Sequence, residues 1–131
     1  MNQVTAITQR EKYKTVVQSG KHHIIVDEPI DSNGQDTGMS PGELLCGSLG
    51  SCTSITLRMY SDRKGWDIEK ISVDVVLDTT DKANPVIHRT VALQGNLDEE
   101  QQKRMLAIAN ACPVHKLLER GIKINTEIAF E

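Results

Sequence analysis

The feature that most constrains this chain is one long helical stretch with an unusually small middle. Gly42 to Lys64 contains no proline and reads as a continuous helix, opened by Ser40-Pro41 and stopped at Gly65. Proline suits a first turn because the N–H it lacks would be unpaired there anyway. Arg63 and Lys64 precede the glycine and complement the negative end of the helix dipole. Leu45, Leu49, Cys52, Ile55, Thr56 and Met59 recur near one face at helical spacing. Yet Gly47, Ser48, Gly50, Ser51 and Ser54 fill the middle, where a glycine costs up to about 1 kcal/mol against alanine. Close approach of another backbone is the simplest compensation. The first half of the helix is therefore expected to pack on a neighbouring helix, a second copy's included.

Short strands surround this helix. Val4 to Ile7, Tyr13 to Val17 and His23 to Val26 are rich in β-formers, with Ser19-Gly20 as a hairpin turn. Asp27 to Gly42 carries Pro29, Gly34, Gly38 and Pro41 among polar residues and reads as one long loop. After the helix, Ile71, Val73, Val75 and Leu77 alternate with mostly polar neighbours, a strand with one buried face. Asp81 to Pro85 turns the chain, and Val86 to Gln94 returns with Ile87, Val91 and Leu93 on one side. Asp98, with Gln101 three residues on, has the form of a capping box. Met105, Ile108, Ala109 and Cys112 share a stripe, and Pro113 opens a short helix closed by Gly121. Ile122, Ile124, Ile128 and Phe130 then read as a final strand. The order β-β-β, α, β-β, α-α, β groups strands into hairpins, so the class is α+β with antiparallel sheets. At 131 residues the expectation is one domain over residues 1–131.

Composition narrows the function. The net charge is −3 and lysine and arginine are scattered, with no block of like charge, so nothing marks a polyanion partner. Tyr13, Tyr60, Trp66 and Phe130 are the whole aromatic complement, too few for a base-stacking platform. No stretch has the length of apolar residues that spans a membrane. Met1 to Arg10 lacks the basic start and apolar middle of a signal peptide, and a cytoplasmic address is the default expectation. Nucleotide-binding, serine-hydrolase and zinc-protease motifs are absent.

The three cysteines are then the residues to weigh. An odd, small number argues against a disulfide framework. Cys112 precedes Pro113 at a helix start, where backbone N–H groups and the dipole favour a thiolate. His115 lies one turn on and could add positive charge when protonated. The plainer reading of Cys112 is a small hydrophobe at a helix junction. Cys52 sits mid-helix and needs an outside cation to become a nucleophile. Arg10, Arg58 and Arg63 are candidates. Cys46 falls about 120° around the helix from Cys52 and reads as structural. Cys112-Pro113-Val114-His115 also has CxxH spacing, with Cys52 as a third ligand, but zinc commonly takes four ligands in paired sets and a second pair is missing. His22 and His23 are adjacent on a predicted strand, where neighbouring side chains point to opposite faces, and His88 reads as a surface strand residue.

On two of these segments the chain resembles the OsmC/Ohr family of hydroperoxide-reducing and OsmC-like proteins. One is Ser40-Pro41-Gly42-Glu43-Leu44-Leu45 leading through Leu49-Gly50-Ser51-Cys52, the other Ala111-Cys112-Pro113-Val114-His115. The order of elements matches over nearly the whole chain. The resemblance implies an intertwined homodimer in which the central helices are buried against sheets of both subunits. It implies a peroxidatic Cys52 and a resolving Cys112, a hydroperoxide as substrate and a dithiol as reductant, with no metal or flavin. Members with the clearest peroxidase pattern bring an arginine from the N-terminal strand region, matched here by Arg10. They hold it with a carboxylate ten residues before the first cysteine. Gly42 stands at that position, and Glu43, nine before Cys52, is the nearest substitute. The segment Cys112-Pro113-Val114-His115 sits closer to the OsmC-like branch. A dimeric OsmC-like domain that binds a small ligand or a protein, with weak or no peroxidase activity, is the second reading.

Overall fold

The computed structural model describes residues 1–130. The chain divides into two compact units, Met1–Gly47 and Ser48–Glu131. The division falls inside the long helix, α1, which runs over Pro41–Lys64.

In the first unit, β1 (Thr5–Thr8), β2 (Thr15–Ser19) and β3 (His22–Val26) form an antiparallel sheet in the order β1-β2-β3. Each lies within two residues of its sequence expectation. Ser19 pairs with His22, so the hairpin turn is Gly20-Lys21, and Gly20 takes the positive φ of 58° that the tight turn demands. The long loop is ordered by its own polar groups. Asp27 is 1% exposed, and its carboxylate accepts from the Tyr13, Glu28 and Thr37 backbone N–H groups and the Thr37 hydroxyl. Met39 meanwhile makes a parallel bridge with Val26. Ser40 and Glu43 cap α1 reciprocally: the Ser40 N–H donates to Glu43 Oε1 at 2.9 Å and the Glu43 N–H to Ser40 Oγ at 3.2 Å.

In the second unit α1 ends in a Schellman motif. Trp66 N–H donates to Ser61 O and Gly65 N–H to Asp62 O, with Gly65 at φ 70°. β4 (Ile68–Asp78) and β5 (Val86–Gly95) pair antiparallel, with a register shift between Ile68 and Lys70. α2 (Glu99–Ala109) begins at the capping box that Asp98 and Gln101 promise, and α3 (Pro113–Arg120) begins at Cys112. The core is Leu57, Tyr60, Ile68, Met105 and Ala109, with Trp66, Ile71, Val91 and Leu93 against it.

The buried row of α1 differs from the expected one. Leu49, Thr53, Leu57, Tyr60 and Ser61 are buried, whereas Ile55 is 53% and Met59 62% exposed. Two rows of α1 could each serve as the inner face, and the row chosen is the one that meets β4 and α2. The close approach anticipated for the small residues is to a strand: a Cβ built on Gly50 would lie 3.4 Å from Val75 Cγ2. The final strand expected over Ile122, Ile124, Ile128 and Phe130 is absent. Residues 121–130 form no regular element and are exposed throughout, because a strand needs a neighbour for its N–H and C=O groups and, among the described residues, no strand pairs with this segment.

Candidate functional site

Cys112 occupies the junction of α2 and α3, and the junction follows from the local sequence. Pro113 can neither donate a helical hydrogen bond nor extend α2, so the chain breaks and restarts with Pro113 in the first turn of α3. Cys112 takes the N-cap position, with φ −64° and ψ 143°. Its sulfur accepts the His115 N–H at 3.4 Å, in the manner of a capping side chain. It is 0% exposed.

From α1, Thr53 approaches this sulfur, with Oγ1 at 3.6 Å from Cys112 Sγ. The neighbouring Cys52 thiol is among the groups that lower the Cys112 pKa. A thiol 60 positions away in the sequence thus influences the ionisation of Cys112. Cys52 is half-buried and all three cysteines are free.

The third contribution comes from β5. Arg89 shares the parity of Ile87, Val91 and Leu93, so it points with them to the inner face of the sheet. Its guanidinium donates to Thr53 Oγ1 at 3.0 Å and to Asn110 Oδ1 at 2.9 Å, and it contacts His115 Nδ1 at 3.0 Å. A guanidinium has only donors, so His115 Nδ1 is the acceptor. Nε2 then carries the ring proton and faces Glu119 Oε2 at 3.2 Å. The cation beside the thiols in this unit is therefore Arg89, and His115 acts as its acceptor rather than as the positive charge that its spacing suggests.

Burial is the largest single influence on Cys112 and opposes ionisation. The His115 N–H, the Thr53 hydroxyl, the Cys52 thiol and the Arg89 charge together outweigh it, so the Cys112 pKa is lowered from its ordinary value.

A cavity of about 760 Å3 opens beside this network between β5, α2 and α3. Ile87, Val91, Leu93, Met105 and Leu106 supply apolar wall. Arg89, Asn110, His115 and Glu119 bring its polar groups, so the side chains that brace the buried thiol also line the hollow.

The other candidate residues belong to the first unit. Arg10 is exposed in the β1–β2 connection. The Glu43 carboxylate serves the Ser40 cap, whose N–H and hydroxyl hold its pKa below the ordinary value. Among the described residues Arg58 and Asp62 form an ion pair and the His115 Nε2–H faces Glu119, and neither contact involves Arg10 or Glu43. Cys46 is half-buried in the same unit. No group of three or more His, Cys, Asp or Glu side chains suited to a metal ion exists among the described residues, and no helix is long and apolar enough to cross a membrane. Sequence reasoning missed Arg89 and Thr53. The available signal was a lone arginine among Ile87, Val91 and Leu93 on the inner face of β5, a face that rarely takes such a charge without partners.

The family model described as OsmC-like protein matches residues 34–127. No curated protein sequence matches the chain. Among solved structures, a candidate osmotic stress induced and detoxification response protein from Psychrobacter arcticus superposes with a TM-score of 0.73 at 25% identity, covering 88% of this chain and 87% of the other. An OsmC like protein from Mycoplasma pneumoniae gives 0.75 at 20% identity, over 89% and 86% of the two chains. The organic hydroperoxide resistance protein OhrB of Bacillus subtilis gives 0.59 at 23% identity, over 87% of each. The likeness to the last two is one of fold.

Proposed function

Because the chain belongs to the OsmC-like protein family, we propose that it is a thiol-dependent peroxidase that reduces organic hydroperoxides through Cys52 and Cys112. The observation that carries this reading is the approach of α1 to Cys112, where Thr53, next to Cys52 in sequence, lies 3.6 Å from the buried sulfur and the Cys52 thiol helps to lower its pKa. That similar folds include an organic hydroperoxide resistance protein agrees with it. The Cys52 thiolate attacks a hydroperoxide oxygen, the O–O bond breaks, the alcohol leaves with a proton, and a sulfenic acid remains. The Cys112 thiolate then attacks the Cys52 sulfur, water departs after protonation, and a disulfide closes. An external dithiol returns both thiols and is itself oxidised. The apolar wall of the cavity favours a hydroperoxide with a hydrocarbon body. Arg10 is the arginine proposed to activate Cys52, with Glu43 as its carboxylate partner. No metal or flavin enters the cycle.

The reading includes a homodimer. Ile55 and Met59 on α1, and Ile124, Ile128 and Phe130 near the C-terminus, are large apolar side chains left in solvent in the single chain, a pattern that favours a protein interface.

The test is peroxide consumption by the reduced protein with cumene hydroperoxide. Cys52→Ser abolishes it. Cys112→Ser leaves a trapped sulfenic acid or over-oxidised Cys52. Cys46→Ser leaves the rate unchanged, and loss of activity there would reassign the roles. The size of the cavity favours a second reading, a dimeric domain that binds a small apolar ligand or a protein with weak or no turnover. Thiols that survive a modest excess of hydroperoxide would support it.

A further inference from the structure

We infer that Thr53 and Arg89 are positioning residues that make Cys112 the leaving sulfur during regeneration, so that the reductant thiolate is steered to Cys52. This rests on the proposed dithiol cycle and concerns its reductive half.

Accessibility sets the direction of attack. Cys112 is 0% exposed and Cys52 is half-buried, so an incoming thiolate has a path to Cys52 alone. Attack there joins the reductant sulfur to Cys52 and expels Cys112 as a thiolate. A second thiol of the reductant, or a second molecule, then attacks the reductant sulfur of the mixed disulfide. The reductant leaves as a disulfide and Cys52 as a thiolate, so two electrons have passed to the protein. Exchange is faster when the departing thiol is more acidic, and the surroundings of Cys112 are built for that departure.

The Thr53 hydroxyl is the moving part. It has one proton and two acceptors in range, Leu49 O at 2.7 Å and Cys112 Sγ at 3.6 Å. While Cys112 is in a disulfide or is a neutral thiol, the proton belongs to Leu49 O, the common back-bond of a helical threonine. When negative charge arrives on Sγ, the hydroxyl turns to it, because bonds to an ionised acceptor are the stronger ones. Arg89 donates to Thr53 Oγ1 in either orientation, polarising the hydroxyl toward the sulfur. Arg89 in turn is fixed by Asn110 Oδ1 and His115 Nδ1, and His115 by Glu119. The ionisable groups that face Cys112 are thus Cys52 from α1, Arg89 from β5 and His115 from α3, with Glu119 behind His115. α2 contributes the neutral Asn110.

The test starts from Cys46→Ser/Cys52→Ser, in which Cys112 is the sole thiol and its ionisation is followed by ultraviolet thiolate absorbance, a readout that needs no reagent to enter. Thr53→Val is expected to raise the midpoint by about one pH unit or more, Arg89→Met to do the same, and Thr53→Ser to restore it. In the chain with all three cysteines, the disulfide is made with diamide, without any hydroperoxide. Its reduction by dithiothreitol at fixed pH should slow about threefold or more in Thr53→Val and recover in Thr53→Ser. Glutathione trapping should place the mixed disulfide on Cys52. An unmoved Cys112 midpoint in Thr53→Val, or glutathione mapped to Cys112, overturns the inference. A protein that passes these tests yet ignores hydroperoxides loses the peroxidase reading and keeps this one.

Discussion

Asp27 illustrates how much one side chain governs in the first unit. Its carboxylate gathers the Thr37 hydroxyl and three backbone N–H groups. The Thr37 hydroxyl is the main cause of its strongly lowered pKa; burial works the other way, and the N–H groups of Glu28, Tyr13 and Thr37 add to the lowering. A lowered carboxylate pKa contributes stability that is present above the unfolded value of roughly 3.9 and fades as pH falls through the folded one. Asp27→Asn is therefore expected to lower the Tm at neutral pH and to flatten its fall on acidification, a comparison for calorimetry between pH 7 and pH 3. The thiol network is governed in the same way by few atoms. Cys112 and its position ahead of Pro113 were legible in the sequence, because a proline after a helical stripe forces a junction. The partners were not, because Thr53 and Arg89 are 59 and 23 positions from Cys112 and only the pairing of α1, β5 and α3 makes them neighbours. His115 was legible as a neighbour but not as an acceptor, since its role is set by a guanidinium on another element.

At the scale of elements, caps and alternation carried the reading. Asp98-x-x-Gln101 gave the start of α2, Gly65 the end of α1, and the period of two in Ile71 to Leu77 the inner face of β4. Asp98→Ala is expected to cost about 1 kcal/mol, read by urea denaturation. Glycine in α1 was harder to interpret, since a small residue shows that something comes near but not what. At Gly50 the neighbour is Val75. A methyl group fits at the contact distance there, so Gly50→Ala should hold or slightly raise stability through helix propensity. Gly50→Leu overpacks the contact with β4 and should lose about 1–3 kcal/mol. The buried row of α1 differs from the expected one for a related reason: Ile55 and Met59 have the chemistry of a core and stay exposed among the described residues, while Thr53 has the chemistry of a surface and is buried with its hydrogen bonds satisfied.

At the scale of the whole molecule, the unformed final strand and the bare face of α1 are of one kind. Alternation over Ile122 to Phe130 specifies a strand, but a strand exists only where another offers its edge, and the proposed homodimer is where such an edge would lie. Ile124→Glu with Ile128→Glu should convert a dimer to a monomer in sedimentation equilibrium, and an unchanged mass would place the interface elsewhere. The central claim is narrower than the assembly and does not depend on it: two thiols remote in sequence react as one unit. Its most direct measurement is peptide mapping after one equivalent of cumene hydroperoxide is added to the fully reduced protein. Two thiols per chain should be lost and a disulfide should join Cys52 and Cys112, with Cys46 untouched. Oxidation confined to one cysteine without that disulfide, or a disulfide through Cys46, would contradict it.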